Sequence, residues 1–169
     1  MIFYNLDAAI DNKEIIIVEG EMDVLALAQC GVNNVISVPN GCTDKGAINV
    51  QYLDNCIDFF DADTKFILAL DNDKVGIRLK DELARRLGYE NCKQVTFKDC
   101  KDANDCLIKY GQNVTKECLL DAKEFPIIGV FDANDIQQDI YNYYNNGLPS
   151  GCGIGMHEMD MHLKFQEGY

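Results

Sequence analysis

The chain predicts an α/β fold: a parallel sheet of about four strands flanked by helices, followed by a linker helix. Three observations predict it. Short apolar runs alternate four times with helix-period runs. The runs Ile15-Ile16-Ile17-Val18 and Phe66-Ile67-Leu68-Ala69-Leu70 are apolar on both faces, as strands inside a parallel sheet are. The connections are short, which suits right-handed crossovers between neighbouring parallel strands.

Residues 1–13 show no cap or targeting pattern and read as a lead-in segment cut from a longer protein. The first strand ends at Glu19-Gly20. The pattern then changes to Met22, Ala26 and Cys30, four apart on one helical face with Leu25 beside them, and the helix stops at Gly31. Asn34–Val38 is a short strand, closed by the turn Pro39-Asn40-Gly41. A polar helix is expected from about Gly46 to Asp61, burying Ile48, Tyr52, Cys56 and Phe59/Phe60. Lys65–Leu70 is the third strand, and the next helix carries Leu79, Leu83 and Leu87 at four-residue spacing. That helix closes with Arg85-Arg86 and Gly88, a favourable charge at a helix C-terminus. Cys92–Phe97 is less apolar and belongs nearer an edge. A short helix to Tyr110, the terminator Gly111 and a small helix near Thr115–Lys123 complete the unit. Beyond Phe125 the composition changes to Pro126–Phe131, then a polar helix with Ile136, Ile140, Tyr143 and Tyr144 on one side. The stretch Asn145–Gly151 has linker composition.

The formal charge of −13 excludes a basic nucleic-acid clamp, so a phosphate-bearing partner needs a metal ion or a local basic patch. Eight cysteines occur without any C-x-x-C pair, which argues against a zinc ribbon and for free thiols in a reducing compartment. No apolar run approaches the roughly 18 residues of a membrane helix. These features predict a soluble, cytoplasmic protein with no membrane partner.

Four carboxylates converge on one sheet edge. Glu19 ends the first strand, Asp71 and Asp73 follow the third, and Asp102 follows the fourth, all at carboxyl ends, where open α/β sheets bind ligands. Clustered acids repel one another by several kcal/mol in order of magnitude unless a cation joins them. Hard oxygen ligands suit Mg²⁺ or Mn²⁺ completed by substrate phosphates. Each acid also has a plainer role: Asn72 and Asp73 suit helix N-caps, Asp102 suits helix initiation, and Glu19 alone suits a surface strand end. His157 and His162 lie in the tail, and no G-x-x-x-x-G-K-[ST] phosphate loop is present.

The motifs Val18-Glu19-Gly20-Glu21-Met22-Asp23 and Asp71-x-Asp73-x-x-Gly76 resemble the Toprim domain shared by topoisomerases, primases and some nucleases. Ser37-Val38-Pro39-Asn40-Gly41 and Lys101-Asp102-Ala103-Asn104-Asp105 narrow the resemblance to the primase–helicases of bacteriophages and their mitochondrial helicase relatives. The likeness spans roughly residues 14–111. Gly147–Gly151, Gly153-Ile154-Gly155 and Leu163–Gly168 are similar to the linker that leads into the helicase domain of that family. The resemblance divides the chain into a lead-in (1–13), a Toprim (Rossmann-like) domain (14–124), a linker with a helix (125–151) and the start of a helicase domain (152–169), truncated before its Walker A motif.

What the resemblance implies is nucleotidyl transfer: a DNA primase module making RNA primers on single-stranded DNA from NTPs during DNA replication. Glu19 would be the catalytic acid/base or metal-associated carboxylate. Glu19, Asp71, Asp73 and Asp102 would form the metal site for Mg²⁺ or Mn²⁺, and Lys74, Arg78 and Lys101 would contact phosphate or nucleic acid. The helix from Asp132 to Asn146 would pack on a neighbouring subunit of a homo-hexamer, beside the helicase domain of the same polypeptide, in a bacterium or its phage-infected cytoplasm. Primases of this type also use a zinc module and a basic subdomain that this sequence lacks, so the isolated chain is expected to be inactive or weak. Two alternatives share the fold: a non-catalytic assembly module of a replicative helicase, and a metal-dependent nuclease or topoisomerase module.

Overall fold

The computed structural model describes residues 1–39, 50–126, 136–147, 153–160 and 162, and β1 (Glu14–Val18) is an interior strand of its sheet. It pairs in parallel with β2 (Val35–Ser37) on one side and β3 (Lys65–Leu68) on the other. β4 (Cys92–Gln94) extends the parallel sheet, and β5 (Lys123–Glu124) closes it antiparallel, in the order β2-β1-β3-β4-β5. The sheet is therefore mixed, mostly parallel, and five-stranded. β4 is covered by a short edge strand whose two charged, exposed residues carry no apolar signal.

The run of β-branched residues in β1 is buried on both sides, each residue 3% exposed or less. Ile15 and Ile17 face one core, with Leu53, Leu68, Leu70, Leu79 and Leu83. Ile16 and Val18 face the other, with Val24, Leu27, Phe97, Ala103 and Cys118. This is the period-two alternation of a strand, with each fully buried aliphatic side chain contributing about 1.5–3 kcal/mol. α1 (Glu21–Gln29) and α4 (Ala103–Leu120) cover the second face, while α2 (Gln51–Asp54) and α3 (Lys74–Leu87) cover the first.

Several elements differ from the sequence expectation. In α1 the buried face is Asp23, Val24, Ala26 and Leu27, continuing into Cys30, whereas Met22 and Leu25 are more than half exposed. Ala26 and Cys30 are buried as expected, and Val24 and Leu27 join them on the inner face, where α4 packs on α1. The helix expected over 46–61 is described only from Val50 onward. It is one turn, α2, followed by a 3-10 turn at Ile57–Phe59, with Tyr52 and Cys56 buried but Phe59 half exposed. Ile48 lies outside the described residues. The two helices expected on either side of Gly111 are both present within the span α4: Gly111 is non-helical (φ 79°, ψ 175°) and separates them, and the second ends at Leu120, short of Lys123. Residues 1–13 are integral to the core: Phe3, Leu6 and Ala9 are buried, and Tyr4 exchanges two backbone hydrogen bonds with Ser37 along the outer side of β2.

Two compact units are distinguished, Met1–Phe125 and Pro126–Tyr169. The second contains α5 (Gln137–Asn146), ended by Gly147 at φ 74°, and α6 (His157–Asp160). Within that unit the Asp160 carboxylate accepts hydrogen bonds from the backbone N–H groups of Ile154 (2.7 Å) and Gly155 (3.0 Å). No helix among the described residues is long and apolar enough to cross a membrane. The six described cysteines are free thiols, all buried; Cys42 and Cys152 lie outside the described residues.

Candidate active site at the carboxyl edge of the sheet

The carboxyl ends of β1, β3 and β4 open into a cleft of about 400 Å³ lined by Glu19, Gly20, Glu21, Asp23, Val38, Asp71, Lys101 and Asp102. Glu19 follows the last residue of β1, Gly20 is extended, and the Gly20 carbonyl receives the first N–H groups of α1, from Asp23 and Val24. The Glu19 Oε2 atom is buried at this wall.

Asp71 follows Ala69 and Leu70 beyond the end of β3, still buried at 7% exposed. The next turn closes through Asp73, the N-cap of α3, whose Oδ1 accepts from Val75 N and Gly76 N, both at 2.9 Å. Gly76 is required here, since a Cβ would stand 2.3 Å from the Asp71 carbonyl oxygen. Between them Asn72 acts as a clasp. Its N–H donates to the Lys101 carbonyl (2.9 Å) and its side-chain amide to the Cys100 carbonyl (3.0 Å). The clasp brings the loop after β4 against the Asp71 turn. Lys101 Nζ lies 2.7 Å from Asp71 Oδ2 and 3.9 Å from Asp73 Oδ2.

Asp102 caps α4, its Oδ1 accepting from Asp105 N at 2.8 Å. Three of the four expected carboxylates, Glu19, Asp71 and Asp102, thus line one cleft, and Asp73 joins them through the ammonium it shares with Asp71. Lys101 is in the wall as well. Lys74 and Arg78 are exposed on the first turns of α3 and do not contribute to the wall. Among the described residues no three His, Cys, Asp or Glu side chains close on one point as a ready-made metal cage. The cation that meets Asp71 in this arrangement is Lys101.

Asp23, which lines the cleft, and Lys80, which is coupled to Asp71, are residues to which the sequence assigns no role, Asp23 entering only as part of a motif. Asp23, one turn after Glu19, is 6% exposed, and its Oδ1 accepts from Asn104 N at 3.0 Å, tying the start of α1 to the start of α4. The spacing E-G-x-x-D was its available signal, four residues being one helical turn. Lys80 is buried on α3 one turn after Gly76, and donates to the Val95 carbonyl at 3.3 Å. It shares a face with the leucines of α3, so only its charge in an apolar stripe could have marked it.

Burial, reinforced by the nearby charges of Asp102 and Asp71, pushes the Asp23 carboxyl up to about 6 against the opposing Asn104 N–H bond. Burial also raises Asp71, opposed by Lys101 and assisted by Asp102 and Asp73. Burial lowers Lys80, opposed by Asp71, and the Asp71 carboxylate raises Lys101. A carboxyl group whose folded value lies above its unfolded one holds a proton that the unfolded chain has released. Its stabilising contribution is present at low pH and lost as the pH rises through the folded value. Between about pH 4 and pH 6 the wild type should therefore lose stability relative to Asp23→Asn, which keeps an oxygen for Asn104 N. Urea midpoints of both proteins across that interval check this, and a constant difference between them would contradict it.

The family model described as Toprim-like matches residues 16–107, more than half of the chain. The chain belongs to the Toprim-like family. Its Toprim domain is related to primases and Twinkle-like proteins. The chain is 34% identical over 177 residues to the Twinkle homolog protein, chloroplastic/mitochondrial, of Arabidopsis thaliana, covering 94% of this chain and 25% of that protein. It is 36% identical over 142 residues to the Primase homolog protein of the same plant, covering 75% and 42%. The chain thus spans a quarter and about two-fifths of the lengths of these relatives. Among solved structures, the Toprim fold is shared with the primase domains of bacteriophage T7 gp4 bound to an RNA/DNA hybrid and dTTP. The TM-score is 0.57 and the identity 24%, covering 66% of this chain and 56% of that one. The RNA polymerase domain of Mycobacterium tuberculosis primase DnaG, in complex with a DNA oligomer, gives a TM-score of 0.54 at 18% identity, covering 72% and 40%.

Proposed function

We propose that this Toprim domain is the nucleotidyl-transfer module of a DNA primase–helicase, making RNA primers on single-stranded DNA during DNA replication. The observation that carries the reading is the carboxylate cleft itself, with Glu19, Asp71 and Asp102 from three different strand ends in one wall. The relationship to a Twinkle homolog and a primase homolog supports it.

The donor set fits a hard divalent cation such as Mg²⁺ or Mn²⁺. Asp73 and Asp102 each engage Oδ1 in a helix cap, leaving Oδ2 as a second acceptor. Asp71, Asp73, Asp102 and Glu19 would hold the ion, which when bound supplies charge stabilisation for the attacking 3′-hydroxyl oxygen and the leaving pyrophosphate. Glu19, with one oxygen buried, would take the proton of the attacking hydroxyl. Lys101, in the wall, would meet the triphosphate of the incoming NTP. Lys74 and Arg78, outside the wall, would meet the template or primer strand. The N–H clasp of Asn72 and the Asp23–Asn104 bond would keep the three loops in register during the reaction.

In the parent polypeptide that this reading posits, a helicase domain follows, and α5 packs on a neighbouring subunit of a homo-hexamer. The exposed Ile140, Tyr141 and Tyr144 of α5 support that packing. The reducing compartment inferred from free thiols suits the cytoplasm expected from the sequence and the organelles named for the first relative alike.

A second reading, an assembly module without chemistry, is favoured by one observation: Lys101 already neutralises Asp71 within the chain. Primer synthesis by the parent polypeptide with Glu19→Gln or Asp71→Asn separates the two. Loss of primers with the oligomer intact supports the catalytic reading. Primers that survive both changes would refute it.

A further inference from the structure

Lys101 holds the position in which a divalent ion would meet Asp71. Its ammonium sits 2.7 Å from Asp71 Oδ2 and reaches toward Asp73 Oδ2 at 3.9 Å. These are the oxygens a metal would need, since Asp73 Oδ1 is engaged by two backbone N–H groups of α3. An ammonium and a divalent ion do not share the oxygen favourably: at contact distances their repulsion is larger than the ammonium gains from the carboxylate, so the divalent ion wins the position and the ammonium leaves. We propose that Lys101 is a tethered resident cation of the cleft, which a divalent ion must displace in order to bind, and which thereby sets the apparent metal affinity. This inference rests on the metal-binding reading above.

The surroundings of Lys101 suit an exchange. The side chain is 54% exposed, so the ammonium has water to withdraw into. Its backbone is pinned, because the Lys101 carbonyl accepts from Asn72 N. The side chain therefore swings aside while its root stays at the cleft, leaving a positive charge at the rim where a phosphate would approach. Lys80, the other lysine coupled to Asp71, is different. It is buried and bonded to the Val95 carbonyl, with no solvent to move into. Only the outer lysine is placed to exchange. In the metal-free chain it also prevents Asp71 from standing as an uncompensated buried charge, which explains why a lysine rather than a neutral residue occupies the loop.

The test is calorimetric titration of the 169-residue chain with MnCl₂, in the wild type, Lys101→Met, Lys101→Gln, Lys74→Met and Asp71→Asn. Both Lys101 variants should bind Mn²⁺ roughly tenfold more tightly or better, the equivalent of removing one competing charge-assisted hydrogen bond. Their thermal midpoints should rise more on adding metal than that of the wild type. Lys74→Met removes the same charge outside the cleft wall and should change the affinity by less than about threefold, as a screened surface charge does. Equal or weaker binding by both Lys101 variants, with binding by the wild type and none by Asp71→Asn, would overturn the exchange and leave the metal site standing. An equal gain in Lys74→Met would reduce the effect to net charge and overturn it too. Absence of Mn²⁺ binding in every protein would sink the metal reading and this inference with it.

Discussion

Gly76→Ala should lower stability by about 3 kcal/mol or more, through overpacking against backbone. An alanine inside a helix is ordinarily favoured over glycine by roughly 0.5–1 kcal/mol. Here that gain is outweighed, because the new Cβ would lie 2.3 Å from the Asp71 carbonyl oxygen and 2.9 Å from its carbonyl carbon and Cβ. Neither carbonyl atom can move without moving the strand-to-helix turn. For a chain of this size the cost corresponds to a thermal midpoint lower by roughly 6–12 °C. Gly20→Ala is the informative contrast. The tightest contact of its Cβ would be Asp23 Oδ2 at 3.2 Å, a side-chain oxygen that gives by a few tenths of an ångström, with Met22 N at an ordinary 4.0 Å. Thermal unfolding of the two variants checks the difference. Equal stability of Gly76→Ala and the wild type would show that the turn is not as tightly closed as the geometry requires.

The second large effect concerns chemistry. In the parent polypeptide that the proposed function posits, Asp71→Asn and Glu19→Gln should each cut primer synthesis by about 100-fold or more, the scale on which loss of a metal ligand or an electrostatic stabiliser acts. Both residues are seated in the cleft wall, and neither substitution changes side-chain volume appreciably. Folding should therefore survive, and unwinding by the same polypeptide should persist. Measuring NTP incorporation on a single-stranded template alongside oligomer size separates lost chemistry from lost assembly. A second pattern, nicking of DNA in the presence of Mn²⁺ with no primers formed, would transfer the site to the nuclease alternative.

The sheet was legible because four β-branched residues in a row leave no polar face for a surface strand, and burial of Ile15 to Val18 on both sides follows. The edge on which the carboxylates meet was legible for the same reason, since parallel strands put all their carboxyl ends together. What escaped were features settled by tertiary contacts. β5 consists of two charged residues whose strand character exists only beside β4. In α1 Ala26 and Cys30 are buried as their spacing indicates, but Met22 and Leu25 are exposed, and packing against α4 brings in Val24, Leu27 and Asp23, the last through its bond to Asn104.

The dual nature of the acids was also only half visible. The D-x-D motif suits either a cap or a metal ligand, and Asp73 caps α3 while directing its other oxygen toward Lys101. Lys101 itself was expected at a phosphate. Its pairing with Asp71 depends on the Asn72 clasp, a side-chain bond to a carbonyl twenty-eight residues away that no local pattern announces.

Thermal unfolding of the wild type and Asp71→Asn, with and without Mg²⁺ or Mn²⁺, tests the central claim most directly. An ion that binds only the folded state stabilises it by about 2.7 kcal/mol at a hundredfold excess over its Kd. The wild-type midpoint should rise with metal. Asp71→Asn should be at least as stable without metal, since burial outweighs Lys101 in raising this carboxyl, and should respond weakly when metal is added. No response in the wild type, or an equal response in Asp71→Asn, would contradict the assignment of this cleft as a metal site.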